Sequence, residues 1–139
     1  MNRTAPLALV LAVVLGGCLP KPKQAYTNEQ ITQITSLEEI MRVQAATMDP
    51  LFAKRGQQSF SEAEFQDLAE AGRRIQATSA TARDRFAANR KPSFVTFAGQ
   101  LNSQAGDLLA AAEAKDAAKA AATLGAMKQT CKSCHSENR

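Results

Sequence analysis

The stretch D-A-A-K-A-A-A-T-L-G-A-M-K-Q-T-C-K-S-C-H-S-E-N-R, Asp116 to Arg139, decides how the rest of this chain is read. Its first half is rich in alanine, the strongest helix former, and it has no proline. Its second half ends in Cys131-x-x-Cys134-His135, the attachment signature of c-type haem. Two thiols three residues apart can add to the two vinyl groups on one edge of a porphyrin. The adjacent imidazole then reaches the iron as an axial ligand. A thioredoxin-like thiol pair would need a βαβ setting, and no stretch reads as one. A zinc site needs further ligands, yet His135 is the only histidine and the third cysteine, Cys18, lies far upstream. One motif implies one covalent haem c.

Working back from this helix, three more helical segments can be marked by their punctuation. Thr27-x-x-Gln30 and Ser36-x-x-Glu39 both have capping-box form, so the first segment opens at one or the other. It directs Leu37, Ile40, Met41, Met48, Leu51 and Phe52 to one side; Pro50 should kink it and Gly56 should end it. The second starts at Ser61-x-x-Glu64, carries Phe65, Leu68, Ile75 and Phe86, and breaks at Asn89-Arg90-Lys91-Pro92. The third follows Ser93 with Phe94, Phe97, Leu101, Leu108 and Leu109 in a stripe, and stops near Lys115-Asp116. No stretch alternates with period two. Four amphipathic helices with short connections predict an all-α, antiparallel four-helix bundle holding the haem. The lean alanine face of the last helix has two readings: close packing beside a flat macrocycle, or high helix propensity alone.

The N-terminus reads differently. Residues 1–17 have one basic residue, Arg3, then an apolar run from Leu7 to Leu15 and small residues at Gly16-Gly17, the pattern of an export signal. The run is too short for a permanent membrane span. Leu15-Gly16-Gly17-Cys18 resembles a bacterial lipobox, which implies cleavage before Cys18 and diacylation of its thiol. An ordinary secretory signal, with a soluble periplasmic product, is the alternative. Residues 18–26, with Pro20 and Pro22 between Lys21 and Lys23, read as a tether, and residues 27–139 as the folded domain. One cysteine for lipid and two for haem leave none for a disulfide. The net charge of +4 falls towards neutrality once the leader is lost and two propionates are added. With six Phe, one Tyr and no Trp, the chain lacks the interleaved aromatic and basic residues of a nucleic-acid platform.

A helical bundle with C-x-x-C-H near the end of its last helix resembles the cytochrome c′ family. The family commonly continues the motif with an aromatic and then a basic residue; here Asn138 replaces the aromatic, and Arg139 holds the basic position. The resemblance covers Thr27 to Arg139 and says nothing of the lipobox. It implies a haem whose sixth site is either left to an apolar side chain or, in a low-spin branch, filled by a methionine from the first helix. The Arg-Gln pair usual ahead of that position is absent, with Leu37-Glu38-Glu39-Ile40 in its place.

Counting excludes a second histidine, so methionine is the ligand to look for. Met127 lies eight residues before His135, about 12 Å along the same helix, and is expected in the core. Met41 and Met48 are two turns apart on one face, so only one can stand level with the iron. Antiparallel first and fourth helices bring the start of one beside the end of the other. That favours Met41, five residues past Ser36, over the deeper Met48. The alternative is that Met41 only fills the core.

These readings predict an electron carrier in the bacterial cell envelope, membrane-anchored through Cys18. It would exchange single electrons with redox partner proteins through a haem ligated by His135 and Met41. The alternative is a five-coordinate haem protein that binds or senses nitric oxide or carbon monoxide. An enzyme is not expected: no second histidine serves acid–base work and no glycine loop cradles phosphate. A homodimer through the first two helices would fit the family, although no exposed stripe demands one.

Overall fold

The computed structural model describes residues 26–138. The leader, Cys18 and all of the tether but Tyr26 lie outside the described residues, as does Arg139. The described chain forms five helices: α1 (Asn28–Thr32), α2 (Leu37–Phe52), α3 (Glu62–Phe86), α4 (Pro92–Glu113) and α5 (Ala117–Asn138). The first predicted segment divides in two because both of its capping signals are used. Thr27 and Gln30 form a reciprocal capping box on α1, and the Ser36 hydroxyl accepts from the Glu39 amide at the start of α2. The Glu39 carboxylate does not close a second box; it accepts from Tyr26 and pairs with Arg42 at 2.6 Å.

Pro50 sits in the last turn of α2, which ends at Phe52, so Gly56 lies in the following turn and does not end the helix. The missing proline N–H already removes a hydrogen bond from that turn. Ser61 and Glu64 make the expected capping box on α3. Pro92 stands in the first turn of α4, where an N–H would have no intrahelical partner, so α4 starts one residue before Ser93. Its other end closes in a Schellman turn. Lys115 takes φ 55°, its amide donates to Ala112 O, and the Asp116 amide donates to Ala111 O. Asp116 then caps α5, accepting from the Lys119 amide at 3.0 Å.

The four long helices run antiparallel to their neighbours, as side-chain pairings along each interface show. Gln44 meets Thr78 across α2 and α3, and Lys54, two residues past the end of α2, meets Glu64 at the start of α3. Asn102 bonds both Gln76 and Ser79 across α3 and α4, and Arg73 meets Glu113 at the other end. Lys91 and Ser93, at the start of α4, hold Glu137 and Asn138 at the end of α5. Short α1 covers one end of the bundle against α3, with the Arg85 guanidinium donating to the Thr32 and Ile34 carbonyls.

The apolar core is in two parts. The larger joins Met48, Phe52, Leu68, Ile75, Leu101, Leu108, Leu124 and Met127 among others; Met127 is fully buried, as its register predicted. The smaller joins Ile31, Ile34, Ile40, Val43, Ala82 and Phe94, with Met41 packed on its flank. A domain of this size ordinarily has one contiguous core. The interruption lies beside the haem motif. Among the described residues no helix is long and apolar enough to cross a membrane.

Candidate haem site

Three adjoining cavities, of about 450, 90 and 30 Å³, occupy the break between the two core clusters. One wall is the start and middle of α2 and the other is the last two turns of α5. The widest opens between Leu37, Glu38, Met41, Arg42 and Ala45 of α2 and Cys134, His135 and Asn138 of α5, with Arg90 and Phe94 at the side. The two inner ones continue past Cys131 to Met48, Phe52 and Ile75 on one hand and to Ala82, Phe97 and Leu101 on the other. Met41 and His135 are the two residues that line all three.

The helix register produces this arrangement. Three residues apart on α5, Cys131 and Cys134 fall on one face about 4.5 Å apart along the axis, and His135 follows one position on. Cys131 faces the two inner cavities; Cys134 faces the outer one and one of the inner ones. Both thiols are free and partly buried. Burial first, and then the Cys134 and Asp49 charges, push the Cys131 thiol up to about 11. Burial, followed by Glu137, also raises Cys134. Both causes favour the neutral S–H form of each thiol.

Among the described residues no cluster of three or more His, Cys, Asp and Glu side chains gathers to hold a bare metal ion. The donor set fits a haem. Two thiols and an imidazole share one wall, a thioether lies opposite, and the walls between are mostly apolar. The outer cavity opens beside two guanidinium groups suited to carboxylates. Arg42 is held at 3.0 Å from Glu38, and Arg90 lies 6.0 Å from the centre of the Phe94 ring.

Cys131, Cys134, His135 and Met41, which the sequence assigns to one site, line one of the inner cavities together. Met48 lines only one inner cavity and is otherwise core, 3% exposed. Gln44 and Arg90 also line the cavities and had no signal of their own in the sequence. Asn138, in place of the family's aromatic residue, donates to Cys134 O at 3.1 Å and accepts from the Ser93 hydroxyl, which fastens the end of α5 to α4. The alanines of α5 line none of the three cavities, and Ala118, Ala122 and Ala126 are exposed. Ala120 is fully buried in the larger core cluster, and the exposed alanines contribute helix propensity.

The family model described as Cytochrome C' matches residues 88–139. No curated protein and no solved structure matches the chain. The matched residues span the whole of α4 and α5. Over these residues, which carry Cys131, Cys134 and His135, the chain is similar to the cytochrome c′ family of c-type haem proteins.

Proposed function

We propose that this protein is a one-electron carrier with a single haem. Cys131 and Cys134 bind it covalently, and His135 and Met41 coordinate its iron. The observation that carries the reading is that Met41 and His135 alone share all three cavities, on opposing helices. A haem closed on both faces by imidazole and thioether has a raised potential and no free position for substrate, which suits electron transfer. Met41 is half-buried and packed on the smaller core cluster, so its backbone is anchored while its side chain faces the cavity. Arg90, at the side of the outer cavity, would neutralise a haem propionate at the solvent edge, with Arg42, itself paired with Glu38 and Glu39, beside it.

The optical spectrum of the purified protein tests the reading. A sharp, split low-spin band that becomes a broad high-spin one in Met41→Ala is the expected result. A wild type that is already high-spin overturns it and leaves the gas-binding alternative, in which nitric oxide or carbon monoxide occupies the side facing α2. We further propose, from Leu15-Gly16-Gly17-Cys18 alone, that the protein is lipid-anchored in the periplasm and exchanges electrons there with protein partners. Cys18→Ser should then move it from the membrane fraction to the soluble one. A wild type recovered wholly in the soluble fraction would overturn the anchor.

A further inference from the structure

The wall facing His135 is not wholly apolar. Gln44 stands three residues past Met41 on α2, about 4.5 Å further along the helix, and lines both inner cavities together with His135 and Met41. Its Nε2 donates to the Thr78 hydroxyl at 3.2 Å. Thr78 is fully buried and passes its own proton to the Ile75 carbonyl, so it can only accept from Gln44. A primary amide carries two N–H groups. Thr78 engages one and thereby fixes the orientation of the other.

The remaining polar groups on these inner walls do not compete for the role. The Ser79 hydroxyl donates to Ile75 O at 2.6 Å and accepts from Asn102. Asp49 is an exposed carboxylate and offers acceptors. Gln44 is therefore the oriented donor of the inner cavities.

We propose that Gln44, held by Thr78, is the hydrogen-bonding group of a diatomic-ligand site that opens when the Met41 thioether leaves the iron. The ligand class is a small π-acceptor such as carbon monoxide or nitric oxide, whose outer atom gains electron density on binding reduced haem and so accepts a hydrogen bond. The proposal rests on Met41 being the sixth ligand, which makes this a latent site in the resting protein.

The test uses the reduced holoprotein with Met41→Leu, a near-isosteric change that removes the ligating sulfur, and carbon monoxide as the probe. Adding Gln44→Leu should raise the C–O stretching frequency and speed carbon monoxide release about tenfold, the size of one hydrogen bond. Gln44→Met, which keeps the length of the side chain, should do the same and serves if the leucine variant folds poorly. An unchanged frequency and release rate in a folded double variant overturns the proposal. A wild type that binds carbon monoxide without any change at Met41 sinks the Met41 assignment instead. The Gln44 comparison is then made in the wild-type background, with the same two outcomes.

Discussion

The pair α3–α4 and the pair α2–α5 are both antiparallel, yet they meet in opposite ways. Between α3 and α4 the backbones come so close that a Cβ on Gly72 would lie 2.9 Å from Ala105 O and 3.0 Å from Leu109 N. Between α2 and α5 contact is sparse, and the space is taken by cavities lined with thiols, imidazole and thioether. One interface is built by direct interdigitation, which needs small residues at the crossing. The other presents two partial walls to a third body. Close packing and open space are thus divided between the two halves of the bundle: α3 and α4 hold the frame, and α2 and α5 line the cavities beside the C-x-x-C-H motif.

The comparison breaks most visibly if the haem is withheld. In Cys131→Ala with Cys134→Ala, haem should no longer survive denaturing electrophoresis. Amide exchange in α2 should accelerate to the rates of locally open segments while α3 and α4 stay protected. Equal protection of α2 and α3 in that variant would remove the contrast.

Met48 separates core from site within α2. Met48→Ala should cost about 2–5 kcal/mol in denaturant unfolding, as truncation of a buried side chain does, and leave the spectrum low-spin. A spin change on Met48→Ala alone would move the ligand assignment away from Met41.

Gly72 sharpens the other side of the comparison. Gly72→Ala forces a methyl against the α4 backbone, and overpacking of this kind costs about 1–3 kcal/mol. The haem spectrum should not move, because none of the three cavities is lined by Gly72 or by the α4 atoms it approaches. A coupled spectral change would show that the frame and the site are one unit.

The smallest effect is expected at the joint between α2 and α3. The Lys54 ammonium, then the Ser61 amide and Gln57, hold the Glu64 carboxyl down to about 2. Its folded value lies below the ordinary carboxylate value, so its contribution is fully present above about pH 4 and fades as pH falls towards 2. Glu64→Gln should flatten that part of the acid-unfolding curve. An identical acid limb in wild type and variant would show that the joint carries no pH-dependent stability.

The order and number of long helices follow from local signals: capping boxes at Thr27 and Ser61, Pro92 in a first helical turn, and Asp116 at the head of α5. These act within four residues, so one sequence displays them completely. The same holds for Cys131, Cys134 and His135, whose chemistry is set by spacing on a single helix. That Met41 would line the same space as His135 was legible at one remove, because antiparallel packing fixes which end of the first helix lies beside the last.

Other features depended on which helices meet and how closely. That the α5 alanines would miss the cavities depended on the paths of whole helices. The role of Gln44 exists only because Thr78, thirty-four residues later, lies across from it. Arg90 and Asn138 join the site only because the start of α4 and the end of α5 share one end of the bundle. The sequence by itself determined the helices and the C-x-x-C-H motif, since both are written in short-range spacing. The split core, the opposed Met41 and His135 and the donor at Gln44 were decided by tertiary structure, because they are relations between surfaces that no single helix contains.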